Sequence, residues 1–153
     1  MSMKLRPLSA AAFQPFGDVL DPAFEGPRVD HAARLQNSRA DASHNLMLVR
    51  SAATGRPHMV ARMERHPFSS QTFIPLQGAR AVLAVALDNG SGAPDLATVA
   101  AYVSEGQGFS YHAGVWHIPL ATLDEARAFA VFMYTEGTPD DTHWADVTAF
   151  DLR

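Results

Sequence analysis

The chain has 153 residues, 47% of them hydrophobic and 18% charged, a globular balance that argues against disorder and against a membrane-spanning protein. Its formal charge of -4 and a single lysine, Lys4, leave no basic footprint for nucleic acid or an anionic membrane surface. It has no cysteine, which removes disulfides, thiolate catalysis and thiolate metal sites.

The length fits one domain over residues 1–153. The apolar stretch near the N-terminus is short and broken by Pro15 and Gly17, so no signal peptide is expected, and a cytoplasmic location follows by default. In chain order, Ser9 is placed to cap a short helix over Ala10–Phe13, with Gly17 to stop it. Residues 21–45 are polar and read as a long loop, a kind of segment that often carries function. Leu46–Arg50 reads as a buried strand. His58–His66 alternates, which predicts His58, Val60, Arg62, Glu64 and His66 on one face and Met59, Ala61, Met63 and Arg65 on the other. Gln71–Pro75 is a strand, and Ala79–Leu87 is apolar enough to be central. Asp88–Pro94 is the clearest turn. Strands follow at Val99–Val103, Phe109–Tyr111, Val115–Ile118 and Ala128–Tyr134, with a helical turn expected over Thr122–Ala126 and another near Thr142–Ala149. Many short strands with frequent Gly and Pro, and no βαβ alternation, predict an all-β sandwich or barrel.

Two segments concentrate the chemistry. The first is Glu64-Arg65-His66-(x4)-Gln71-(x6)-Gly78; Glu64 and His66 are two apart on a strand and share a face. The second is Gly106-(x5)-His112-x-Gly114-(x2)-His117, read as a hairpin that presents both histidines. His31, His44, His58 and His143 lack such context and read as ordinary histidines.

Together the segments resemble the two signature motifs of the cupin superfamily. Glu64 stands at the first His of the His-x-His-(x3–4)-Glu-(x6)-Gly pattern, His66 at the second, Gln71 at the Glu and Gly78 at the Gly. Gly106, Gly114 and His117 match the second pattern, with His112 in place of its Pro. The resemblance implies a mainly β, cupin-like double-stranded β-helix or jelly-roll barrel with short peripheral helices. The usual cupin metal site has three His and one Glu; the set that remains here for a divalent ion is Glu64, His66 and His117, because the amide of Gln71 is a poor ligand for a late transition metal.

The wording narrows the resemblance further. Glu64-Arg65-His66-Pro67 with Gln71–Pro75, Tyr111-His112 with Val115-Trp116-His117-x-Pro119-Leu120, and the opening Pro7-Leu8 with Phe13-x-x-Phe16-Gly17-Asp18-Val19 are similar to the ureidoglycolate lyase family. That resemblance implies conversion of (S)-ureidoglycolate to glyoxylate and urea in allantoin and purine breakdown, a homodimer, and stimulation by a divalent metal such as Ni2+, with no organic cofactor. The reaction needs a base at the substrate hydroxyl and an acid at the leaving nitrogen. The candidate catalytic residues are Glu64, His66, His112 and His117: His66 or His117 as base, Glu64 to orient it or ligate a metal, and His112 as acid, with these roles open to exchange. Candidate substrate-binding residues are Gln71, Arg65, Tyr111 and Trp116. Alternation puts Arg65 opposite His66, while Arg62 has the right parity; Trp116 and Tyr111 read equally as packing groups. A metal-dependent cupin isomerase or oxygenase, and a non-catalytic cupin that binds a small acid, are the competing readings.

Overall fold

The computed structural model describes residues 1–55 and 58–153. Its strands are β1 (Ser2–Met3), β2 (Arg6–Pro7), β3 (Gly17–Leu20), β4 (Ser43–Arg50), β5 (Ala52–Ala53), β6 (His58–Arg65), β7 (Gln71–Pro75), β8 (Ala81–Ala86), β9 (Ala100–Val103), β10 (Gly108–Tyr111), β11 (Trp116–His117), β12 (Ala121–Thr122), β13 (Ala128–Thr135) and β14 (His143–Leu152). The one α-helix among the described residues, α1 (Ala10–Phe13), follows Ser9, whose hydroxyl accepts from the Ala12 amide at 3.3 Å. The helix ends at Gln14, and Gly17 opens β3 instead of serving as the helix stop.

The strands form two sheets. One runs β1-β14-β6-β11-β8-β12-β5, with β9 pairing β8 and β2 pairing β9; the other runs β3-β10-β7-β13-β4. Their facing sides enclose a core of Phe73, Phe109, Tyr111, Phe129 and Val131 against Leu83, Val85 and Tyr102, closed at one end by Phe13 and Phe16. The other side of the first sheet carries a second cluster, in which Val82, Ala84 and Ala86 meet Met63, Trp116 and Phe150. β8 is buried on both faces for this reason, as its unbroken apolar run requires. The fold is therefore all-β and cupin-like, as expected.

Four local expectations are corrected. β4 is an edge strand of the second sheet and its outer side is bare, so it is half-buried: Met47 and Val49 pack inward while Leu46 and Leu48 are 74% and 79% exposed. The helical turn expected near Thr142–Ala149 lies earlier, as a single 3-10 turn over Pro139–Asp141, and residues 143–152 are β14, which pairs antiparallel with β6. Its apolar residues alternate, and an available partner edge overrides weak local helix preference. The Thr122–Ala126 segment is also not helical, because Ala121–Thr122 pairs with β8 and β5 and the Thr122 hydroxyl is buried 2.8 Å from that of Ser51. Finally, alternation along β6 does not hold throughout. The register with β14 shifts between Asp146 and Phe150, and the local twist of such a bulge lets Val60 and Met63 enter the same cluster, leaving Arg62 exposed.

Candidate active site

The two signature segments meet where β6 and β11 pair. The antiparallel register sets His117 directly opposite Glu64. The turn before β11 is closed by Gly114, whose φ of 82° suits a residue without a Cβ and whose amide donates to the His66 carbonyl at 2.9 Å. β10 and β11 lie in different sheets, so the segment from Gly106 to His117 crosses between sheets instead of forming a hairpin. β7 begins at Gln71, whose side chain returns to His66.

Glu64, His66 and His117 each present a ligand atom within 4.8 Å of the other two. His117 Nε2 lies 3.5 Å from Glu64 Oε1, and the two imidazole centroids are 5.3 Å apart. His117 is 1% exposed and His66 5%.

Main-chain carbonyls fix both tautomers. His117 Nδ1 sits 3.0 Å from the Val115 carbonyl oxygen, and His66 Nδ1 sits 2.9 Å from that of Asp141 and 3.2 Å from Thr142 Oγ1. A carbonyl only accepts, so each Nδ1 carries the proton and each neutral ring keeps its Nε2 lone pair free. His117 Nε2 is buried and, at 3.5 Å from Glu64, has no hydrogen-bond partner among the described residues. His66 Nε2 lies 3.0 Å from the Gln71 side-chain oxygen; with the amide turned over, exchanging its O and N, the NH2 donates to the Nε2 lone pair. Burial, and then the neighbouring His117, hold His66 below the usual imidazole range, which favours the neutral ring. Burial works to raise the Glu64 carboxyl, but the contact with His117, and then the positive charge either imidazole gains on protonation, bring it below the ordinary carboxylate range. Burial, assisted by the Glu64 charge, pushes the Tyr111 phenol up, so it stays protonated; its ring stacks on His117 with centroids 4.1 Å apart.

This donor set fits a divalent cation. Two imidazole nitrogens and a carboxylate converge, both rings are oriented from behind by backbone acceptors, and one buried nitrogen has no other partner.

The other candidates lie apart from this cluster. Arg65 and Trp116 point to the far side of their strands, as alternation requires, and both meet Asp88: Arg65 Nη1 at 2.7 Å and the indole N–H at 3.0 Å, with the guanidinium over the indole. They brace the Asp88 turn against the back of the site strands. His112 is outside the three-residue cluster; its Nε2 lies 2.8 Å from Arg34, and burial together with that cation lowers its basicity. Residues that were not singled out from sequence are Asp141 and Thr142, which hold His66, and Met133, whose sulfur lies 3.7 Å from the Gln71 amide nitrogen. The one available signal was Thr138-Pro139-Asp140-Asp141, a capping-box pattern, which marks a built turn but not what it touches.

These features define a class: a cupin-like β barrel whose two signature strands bring a carboxylate and two imidazoles together. The family profile described as ureidoglycolate lyase matches residues 1–150. The chain is 34% identical over 151 residues to the ureidoglycolate lyase of Pseudomonas savastanoi pv. phaseolicola (strain 1448A / Race 6), covering 92% of this chain and 88% of that protein. It is 35% identical over 138 residues to a putative ureidoglycolate lyase of Agrobacterium fabrum (strain C58 / ATCC 33970), covering 90% and 85%. Against the ureidoglycolate lyase of Escherichia coli (strain K12 / DH10B) it is 34% identical over 143 residues, covering 84% and 85%. The chain belongs to the ureidoglycolate lyase family.

Proposed function

We propose that the protein is a ureidoglycolate lyase of the amidine-lyase type, which eliminates urea from (S)-ureidoglycolate and leaves glyoxylate in the cytoplasmic breakdown of allantoin and purines. The observation that carries this reading is the convergence of Glu64, His66 and His117 in a chain that belongs to the family. The substrate is a carbinolamide: one carbon bears the hydroxyl, the carboxylate and the ureido nitrogen. Cleavage moves one proton from that hydroxyl to the departing nitrogen as the C–N bond breaks and the aldehyde C=O forms.

His117 Nε2, which is buried and has no hydrogen-bond partner among the described residues, is the base that takes the hydroxyl proton. Glu64, 3.5 Å away, stabilises the imidazolium that results. The same nitrogen then delivers the proton to the leaving urea. The Gln71 amide lies beside His66 and is the group for the ureido arm, a role suited to its paired donor and acceptor. His112, held against Arg34, is not assigned the acid role, and Arg65 and Trp116 are not assigned to the substrate. A divalent ion such as Ni2+ would be held by Glu64, His66 and His117 and would supply a Lewis acid to the substrate; because ligation would occupy His117 Nε2, the proton role given to that nitrogen applies to the metal-free site.

The test is to give purified protein racemic ureidoglycolate, with and without chelator, and to measure urea, ammonia and glyoxylate. Equimolar urea and glyoxylate are expected. Activity that survives chelation assigns proton movement to the side chains alone; activity lost and restored by Ni2+ assigns a metal. No release under either condition removes the lyase reading.

The homodimer belongs to the same proposal. Leu46, Leu48 and Ile74 stand exposed on the outer side of the second sheet, beside a cavity of about 850 Å³ lined partly by Leu20, Leu35 and Phe132. An apolar sheet face of this kind suits a second copy of the chain. Replacing Leu48→Glu is expected to shift sedimentation from dimer to monomer. A wild-type protein that sediments as a monomer, or a variant that still sediments as a dimer, contradicts the assignment of this face.

A further inference from the structure

His66 owes its orientation to a loop that is itself held in place from a distant part of the chain. The Asp141 carboxylate accepts from the backbone amides of Glu136 at 2.9 Å, Gly137 at 2.7 Å and Thr138 at 3.2 Å, which folds residues 136–141 into one tight turn. The main-chain oxygen of the same residue accepts from His66 Nδ1.

Arg39 closes on this turn from outside. Its Nη2 lies 2.7 Å from Asp141 Oδ1, its Nη1 is 3.4 Å from Glu136 Oε2, and it donates to the Tyr134 carbonyl at 3.4 Å. Its guanidinium also lies over the Phe68 ring, 5.0 Å from the centroid. Both side chains of the Arg39–Asp141 pair are largely shielded, 11% and 14% exposed, so the pair is screened less than a surface ion pair. The approach of Arg39 is set in turn by its own segment. Gln36 exchanges backbone and side-chain hydrogen bonds with Ser70, Ser38 donates to the Phe68 carbonyl, and the Gln36 side chain accepts from Ala113. Residues 36–39 thus tie together the turn after His66, the turn before His117 and the loop that bears Asp141.

We propose that Arg39 is a positioning residue: through Asp141 it fixes the backbone carbonyl that holds His66 Nδ1–H, and so keeps His66 Nε2 turned toward Glu64 and His117. The catalytic consequence rests on the lyase reading given above; the tautomer consequence does not. Outer partners of this kind commonly change activity or ligand affinity about 10–100-fold when removed.

The experiment uses the full chain labelled with 15N and records long-range imidazole correlations, with His66 identified by the peaks lost in His66→Gln. The wild type is expected to show His66 as a single Nδ1–H tautomer. In Arg39→Ala that pattern is expected to collapse to an exchange-averaged one, the His117 pattern to persist, and kcat to fall about 10-fold or more with KM little changed. Arg39→Lys, which keeps the charge but loses the fork, is expected to recover part of both readouts. If Arg39→Ala does not fold, Arg39→Lys and Asp141→Asn carry the same comparison. An Arg39 variant that folds and keeps the wild-type His66 pattern overturns the proposal, whatever its turnover. A protein that shows the tautomer change but no turnover of ureidoglycolate in the wild type keeps the positioning role and loses the lyase reading.

Discussion

Replacing His117→Ala or His66→Ala is expected to lower turnover of ureidoglycolate at least about 100-fold, close to 2.7 kcal/mol of transition-state stabilisation. The two losses have different origins. His117 holds a buried nitrogen with no hydrogen-bond partner among the described residues, so its removal deletes the proton carrier itself. His66 sits 5.3 Å from it, centroid to centroid, and its removal takes from Glu64 one of the neighbours that hold its carboxyl low. Glu64→Gln should lie between these variants and the wild type, because the amide keeps the shape but not the charge that stabilises an imidazolium. Steady-state kinetics on all three variants checks this. Near-normal rates in His117→Ala contradict the assignment of the base.

Gly17→Ala is expected to destabilise the fold by about 3 kcal/mol or more, at the high end for an overpacked site. A Cβ built at Gly17 falls 1.9 Å from the backbone oxygen of Ser110. Overpacked side chains usually relax by changing rotamer, but here the obstacle is main chain in the β3–β10 ladder, where Gly17 pairs with Tyr111. Relief requires the strands to part, and Tyr111 is the residue stacked on His117. Thermal unfolding should therefore show a fall of roughly 6–12 °C on the usual scale for a domain this size, together with reduced activity in the folded fraction. A variant that melts with the wild type shows that this ladder shifts at little cost.

Much of the site was legible because spacing along strands is a geometric statement. Glu64 and His66, two residues apart, share a face, and the second segment brought His117 to them through a pairing that no local pattern states but the joint presence of both motifs implies. The same alternation explains why Arg65 and Trp116 lie elsewhere. Each is the immediate neighbour of a site residue, and on a strand an immediate neighbour points away. His112 follows Tyr111 on the chain and faces Arg34 while Tyr111 faces His117.

What stayed hidden is long-range and carried by backbone. The acceptors that set the imidazole tautomers are main-chain oxygens of Val115 and Asp141, and a carbonyl has no residue type to recognise. Asp141 is 75 positions from His66, and Arg39 reaches it from a loop whose length pointed to function but in which no residue stood out. β14 was missed for a related reason: its register partner is β6, far earlier in the chain, and strand formation there depends on that partner more than on its own residues.

The central claim is that Glu64, His66 and His117 form one reactive centre. A time course of urea release from racemic ureidoglycolate, run in parallel for the wild type and for Glu64→Gln/His117→Ala, tests it most directly. The expected result is a wild-type trace that plateaus when half the racemate is spent, with glyoxylate equal to urea, and a double variant indistinguishable from buffer. Equal release by both proteins, or a wild-type trace that does not rise above the uncatalysed rate, contradicts it.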